Sequence, residues 1–162
     1  MTEEKKTLPQ YSGMKQHNDR AGFSLWLPND WHQFNLTGDH KGVLFSPYAD
    51  DFNTGILVEK NKLKVKINRD DLPTLREAFV AGIKALDGVE IEEGSESEFL
   101  TDTLSFFEIR FSFLEGDARR KRWIRNVYWG RNNYILIAQG RTPEDFDHWL
   151  PMFYNIMMNA VV

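Results

Sequence analysis

The chain has 162 residues, a net charge of −4 and no cysteine. That length suits a single domain able to bury ~70% of its unfolded surface, so folding requires neither metal nor disulfide. The missing cysteines exclude disulfide and thiolate chemistry, and the modest acidity gives no support to general polyanion binding. No apolar run reaches the ~18 residues of a membrane-spanning helix, and polar residues follow Met1 to Lys6 instead of an apolar signal core. The expectation is a cytoplasmic protein without membrane span or lipid anchor.

Residues 1–20 are polar, carry Pro9 and Gly13, and show neither helical nor strand periodicity, which predicts a flexible N-terminal arm. The folded domain is expected over 21–162. Phe23, Leu25 and Leu27 alternate with Ser24 and Trp26, and Pro28-Asn29-Asp30 turns the chain into Trp31 to Phe34, giving two short strands. Val43 to Phe45 is a third, and Tyr48 to Asn53 a polar loop. From Thr54 to Ile67 the apolar residues change register, Ile56 and Val58 being even and Leu63, Val65 and Ile67 odd, so a bulge or turn is required near Lys60 to Lys62.

A helix follows, capped by Asp70 or Asp71, with Pro73 in its first turn, an apolar face of Leu72, Leu75, Phe79, Ile83 and Leu86, and Gly88 as its terminating glycine. Val89, Ile91 and Phe99 belong to a strand interrupted within Glu92 to Glu98. Phe107, Ile109, Phe111 and Phe113 alternate with polar residues, which is a strand with one wet face. Gly116 and Gly130 mark reversals into Lys121 to Tyr128 and Tyr134 to Gln139, completing a three-stranded antiparallel meander. Thr142 and Pro143 then start a helix whose face is Phe146, Trp149, Leu150, Phe153, Ile156, Met157 and Ala160. Pro151 inside it predicts a kink or break. The class is α+β: one antiparallel sheet covered by two amphipathic helices.

The order of elements resembles the superfamily of PsbP and Mog-type Ran-binding α/β/α sandwiches, which also holds uncharacterised bacterial proteins and type VI effector chaperones. The resemblance spans roughly Ala21 to Ala160. It rests on Gly22 to Trp31, on Phe45-Ser46-Pro47, on the meander, and on the helix opening Thr142-Pro143-Glu144. It implies a non-enzymatic protein that acts by binding other proteins. No Ran-binding or photosystem-binding motif falls on particular residues, so neither partner is carried over, and the export signals of the secreted members have no counterpart here.

Catalytic and cofactor motifs are missing. No G-x-S-x-G occurs, the glycines are too dispersed to cradle a phosphate, and His17, His32, His40 and His148 lack metal-ligand spacing. His17 with Asp19 and Asp39 with His40 are the nearest to metal pairs. No cofactor or metal is expected. The basic run Arg119, Arg120, Lys121, Arg122 and Arg125, beside Trp123, Tyr128 and Trp129, raises a nucleic-acid reading; ordinary sheet-surface pairing with Glu108 or Glu115 is preferred. Aromatic residues number 22, as five Trp, five Tyr and twelve Phe, more than two helix faces and one sheet face consume. Trp31, Tyr48 and Phe52 lie near turns and are expected to anchor a partner protein, with Arg119, Arg120 and Arg122 steering an acidic one. That partner is another protein, a second copy of the chain being one form of it, and a small-molecule pocket between helix and sheet is the remaining alternative.

Overall fold

The structure, a computed structural model, describes residues 13–37 and 42–162. Five strands come first: β1 (Met14–Asn18), β2 (Ser24–Pro28), β3 (His32–Leu36), β4 (Gly42–Ser46) and β5 (Gly55–Lys62). Helix α1 (Leu72–Lys84), β6 (Glu90–Ile91), β7 (Ser97–Phe99), β8 (Leu104–Glu115), β9 (Ala118–Trp129), β10 (Asn132–Gly140) and helix α2 (Pro143–Met158) follow. Eight strands form one antiparallel sheet in the order β3-β4-β5-β10-β9-β8-β6, with β7 also on β8, while β1 and β2 form a separate ribbon. The α+β class and the antiparallel meander of β8, β9 and β10 follow the sequence pattern.

Register assigns the faces, because directly opposed residues project to the same side. Val58, Leu136, Arg125 and Glu108 lie on one continuous row. This is the α2 face, where Phe146, Trp149, Phe153, Ile156 and Met157 pack on Ile56, Val58, Trp123, Val127, Leu136 and Ala138. Gly140 permits the close approach: a Cβ there would lie 2.3 Å from the Phe146 nitrogen. On the opposite face Ile83 of α1 packs with Ile109, Phe111 and Phe113 of β8 and Ile124 of β9.

Several expectations are corrected. The arm predicted over 1–20 contributes β1, which pairs with β2 from Met14 opposite Pro28 to Asn18 opposite Ser24. The fold therefore begins before residue 21; residues 1–12 lie outside the described residues. The signal was weak because the ribbon buries only one strand: Phe23, Leu25 and Leu27 of β2 are in the core, while β1 stays polar. The ribbon shares the α2 face, so the sheet is not covered by helices alone.

The register change after Val58 is resolved by ending β5 at Lys62, after which Arg131 holds the chain through the Leu63 and Lys64 carbonyls. Helix α1 ends at Lys84 with Ala85 as C-cap, so Gly88, at φ +56°, turns the chain into β6 and does not terminate the helix. Glu92 to Glu96 bulge between β6 and β7 on one sheet edge. Helix α2 runs unbroken through exposed Pro151, the flanking Trp149 and Phe153 being 1% and 0% exposed. Burial on both sides offsets the hydrogen bond that proline cannot make. Its predicted start holds, since Thr142 Oγ1 accepts from the Asp145 N–H at 3.1 Å.

Candidate functional site

The α2 face is dry beneath the helix and open beside it. Strand β8 alternates, so Leu104, Phe106, Glu108 and Arg110 share this face. All four are half-buried, Leu104 and Phe106 packing against the margin of the helix-covered core. Tyr154 and Met158, one helical turn apart on α2, come down along one side of this strip. Phe99 of β7 and Trp129 of β9 border it elsewhere. Phe99, Trp129, Tyr154 and Met158 are 49%, 46%, 51% and 50% exposed, half of the large apolar side chains exposed among the described residues.

Arginines and rings interleave along the strip. Phe99 stacks on Phe106 at 5.4 Å, the Arg125 guanidinium lies 4.5 Å over Phe106 and 6.0 Å from Trp123, and Arg110 lies 4.5 Å over Trp123. Trp123 stacks in turn with Tyr154 at 6.2 Å. Glu108 braces the centre: its carboxylate accepts from Arg125 Nε at 2.9 Å, Trp123 Nε1 at 3.3 Å and Ser97 Oγ at 3.0 Å. Arg125 also donates to the Met157 carbonyl at 2.9 Å, placing a cation at the negative end of α2. Each cation–π contact of this kind is worth about 0.5–2 kcal/mol depending on desolvation. The result is a rigid platform of aromatic, methionine and arginine groups, the residue types that dominate recognition surfaces.

The six residues predicted to bind a partner do not form one site. Trp31 is 6% exposed and packs edge-on against Trp149 and Phe153 at 5.8 and 6.4 Å. It is a core residue, which corrects its expected role as a surface anchor; the turn at Asn29 and Asp30 points its ring inward beneath α2. Tyr48 packs on the same core, its hydroxyl accepting from Trp149 Nε1 at 3.1 Å, and burial raises its pKa against that hydrogen bond. Phe52 is 57% exposed on the α1 face, edge-on to Phe34 at 4.7 Å.

Alternation splits the basic run. Arg119 projects to the α2 face and binds the Gly88 carbonyl and Ser112 Oγ. Arg120 and Arg122 project to the other face: Arg120 binds the Arg141 carbonyl and lies 3.6 Å from Glu115, and Arg122 binds Gln139 and covers Phe113. Burial lowers the Arg122 pKa, opposed by Glu115 and Glu59. Lys121 bridges Asp147 at 2.9 Å. Cations divided between two faces and already engaged make a poor phosphate track, which disfavours nucleic acid as the ligand of this run. The sheet surface is also less wet than expected, Arg125 being 8% exposed.

A groove of about 470 Å³ runs between α1 and β7, floored by Leu72, Val80, Leu100 and Phe107 and rimmed by Arg76, which pairs with both Glu96 and Glu98 at 3.0 Å. His17 Nε2 lies 3.1 Å from Asp19; Asp39 and His40 fall outside the described residues. Among the described residues no cluster of three metal-ligating side chains occurs, and no helix is long and apolar enough to cross a membrane. The strip was missed because its members come from β7, β8, β9 and α2; the weak signal was that Tyr154 and Met158 fall off the apolar face of α2.

This architecture defines a PsbP-like α+β fold. The solution structure of the cyanobacterial PsbP protein CyanoP from Synechocystis is similar at TM-score 0.63 and 13% identity, covering 92% of each chain. The crystal structure of LpqN, involved in cell envelope biogenesis of Mycobacterium tuberculosis, is similar at TM-score 0.59 and 14% identity, covering 92% of this chain and 90% of that one. At such identities the likeness establishes the fold alone. No family model matches the chain, and no curated protein matches it in sequence.

Proposed function

We propose that this chain is a non-catalytic protein-recognition domain, serving as a chaperone or assembly factor, and that it captures its partner on the strip beside α2. The observation that carries this reading is the cluster of half-exposed Phe99, Trp129, Tyr154 and Met158 around a braced arginine–aromatic stack. Rigid aromatic anchors lose little side-chain freedom on binding, and such groups supply most of the energy at protein interfaces. The fold shared with a PsbP protein and with LpqN, the latter involved in cell envelope biogenesis, supports an assembly role. The resemblance to Mog-type proteins and effector chaperones points the same way, toward a protein as the ligand.

The test is affinity capture with the wild-type chain and a Trp129→Ala, Tyr154→Ala variant of equal stability. A protein retained by the wild type and released by the variant is expected; retention by both baits defeats the assignment. The cytoplasmic location belongs to the same proposal, and recovery of the native protein solely in the envelope fraction would refute that part.

The groove beside α1 favours a second reading, a carrier of a small apolar molecule, because its volume falls in the ligand-pocket range of about 300–1,000 Å³. Native mass spectrometry of the purified protein tests it: a bound apolar molecule lost in Val80→Trp would establish a carrier, and an empty spectrum would not support one.

A further inference from the structure

The two edges of the main sheet differ in chemistry. The β6/β7 edge is interrupted by a bulge and carries Glu92, Glu93, Glu96 and Glu98. Charges and bulges are the usual protection against unwanted strand pairing. The opposite edge, β3, reads His-Gln-Phe-Asn-Leu and contains no Lys, Arg, Asp, Glu or Pro. It pairs only with β4 among the described residues. Five residues without a fixed charge, whose outer backbone edge pairs with no strand among the described residues, are a template for another strand.

Their order is self-complementary. Phe34 is the central residue of His32–Leu36, so a two-fold axis through it pairs all five residues: Phe34 with its mate, Gln33 with Asn35, and His32 with Leu36. No like charges oppose. Gln33 and Asn35 are both exposed and project to one side, so their amides face each other across the axis in two equivalent pairs. On the other side Phe34 stands beside Phe52, which is 57% exposed, and the axis gathers both rings from both copies. Register already places Phe34, Leu44, Leu57, Ile137, Ile124 and Ile109 on one apolar row across the sheet. Pairing at β3 continues that row into the second molecule.

We propose that β3 is a homodimerisation edge on which a second copy of this chain adds its own β3 antiparallel, in register about Phe34, making one sheet across both molecules. This surface lies at the far edge from the strip beside α2, so the dimer leaves that strip free, and either proposal stands without the other.

Sedimentation or light scattering of the full chain across a concentration series provides the test, using two charge variants. Gln33→Lys with Asn35→Lys, and Gln33→Glu with Asn35→Glu, each place like charges opposite one another twice in the dimer. Each variant alone is expected to dissociate at least about tenfold more readily than wild type. Mixing the two is expected to restore a mixed dimer, since every Lys then meets a Glu. All four substitutions are at exposed positions, and unchanged circular dichroism and thermal unfolding verify that folding is intact. A wild type that stays monomeric throughout, variants that dimerise as well as wild type, or a mixture that remains monomeric would each overturn the proposal.

Discussion

Beneath α2 and beside it, one sheet face is built in two ways. Under the helix, Phe146, Phe153, Ile156 and Met157 are each 0% exposed, and the rows below them are aliphatic or aromatic. One strand away, over β8, the apolar rings are interleaved with Arg110 and Arg125 and remain half-open. Trp123 belongs to both regions, buried at 2% under α2 and stacked with arginines along the strip. The contrast shows that a charged side chain can occupy a core-facing position when a carboxylate and a helix carbonyl take up its hydrogen bonds, as Glu108 and Met157 do for Arg125.

The largest effect is expected under the helix. Phe153→Ala should lower unfolding free energy by about 3–5 kcal/mol in chemical denaturation, through lost transfer energy and a cavity. A cost below about 1 kcal/mol would mean the helix is not the main lid of this core. Next comes the strip's brace. Arg125→Ala removes the cationic partner of the part-buried Glu108 carboxylate and one donor to the Met157 carbonyl, and should cost about 3 kcal/mol, whereas Arg125→Met combined with Glu108→Leu should cost less than the single change. If the double variant is the worse of the two, the ion pair itself is the stabilising element and the strip behaves as core.

Smaller effects test the borders. Thr142→Ala removes the N-cap acceptor of α2 and should cost about 1 kcal/mol, read in the same titration. Burial raises the pKa of Tyr48 and of Tyr128. Between the unfolded and the folded value the native state holds protons that the unfolded state has released, so stability falls as pH rises above about 10. Melting temperature measured through that window should drop less steeply for Tyr128→Phe than for wild type; equal slopes would exclude Tyr128 as a contributor. The smallest change is Trp129→Ala, expected within about 0.5 kcal/mol of wild type because the ring is exposed. Its effect should appear in partner capture instead, and a large loss of stability would place Trp129 in the core.

What was legible divides along the same line. The alternation of Phe107 to Phe113, the glycines at 116 and 130, and the Thr142-Pro143 opening of α2 each predicted an element that is present. The pairing of Arg125 with Glu108 was also within reach, since register across a short hairpin follows from its turn. The candidate site was not. Trp31 and Phe52 look alike in sequence, each an aromatic beside polar turn residues, yet one lies under α2 and the other is exposed on the opposite face. Strand β1 was illegible for a related reason, as its polar residues fold by lending backbone hydrogen bonds to β2.

The sequence by itself determined the β8–β10 meander, the capped start of α2 and which side chains share a face there, because periodicity, capping and turn conformation depend on residues a few positions apart. Tertiary structure alone decided how far each face is covered. That α2 lies over β9 and β10, that the ribbon joins it on that face, and that β3 pairs only with β4 among the described residues depend on elements far apart in the chain. Burial is a property of what finally lies above a residue, and no local pattern encodes it.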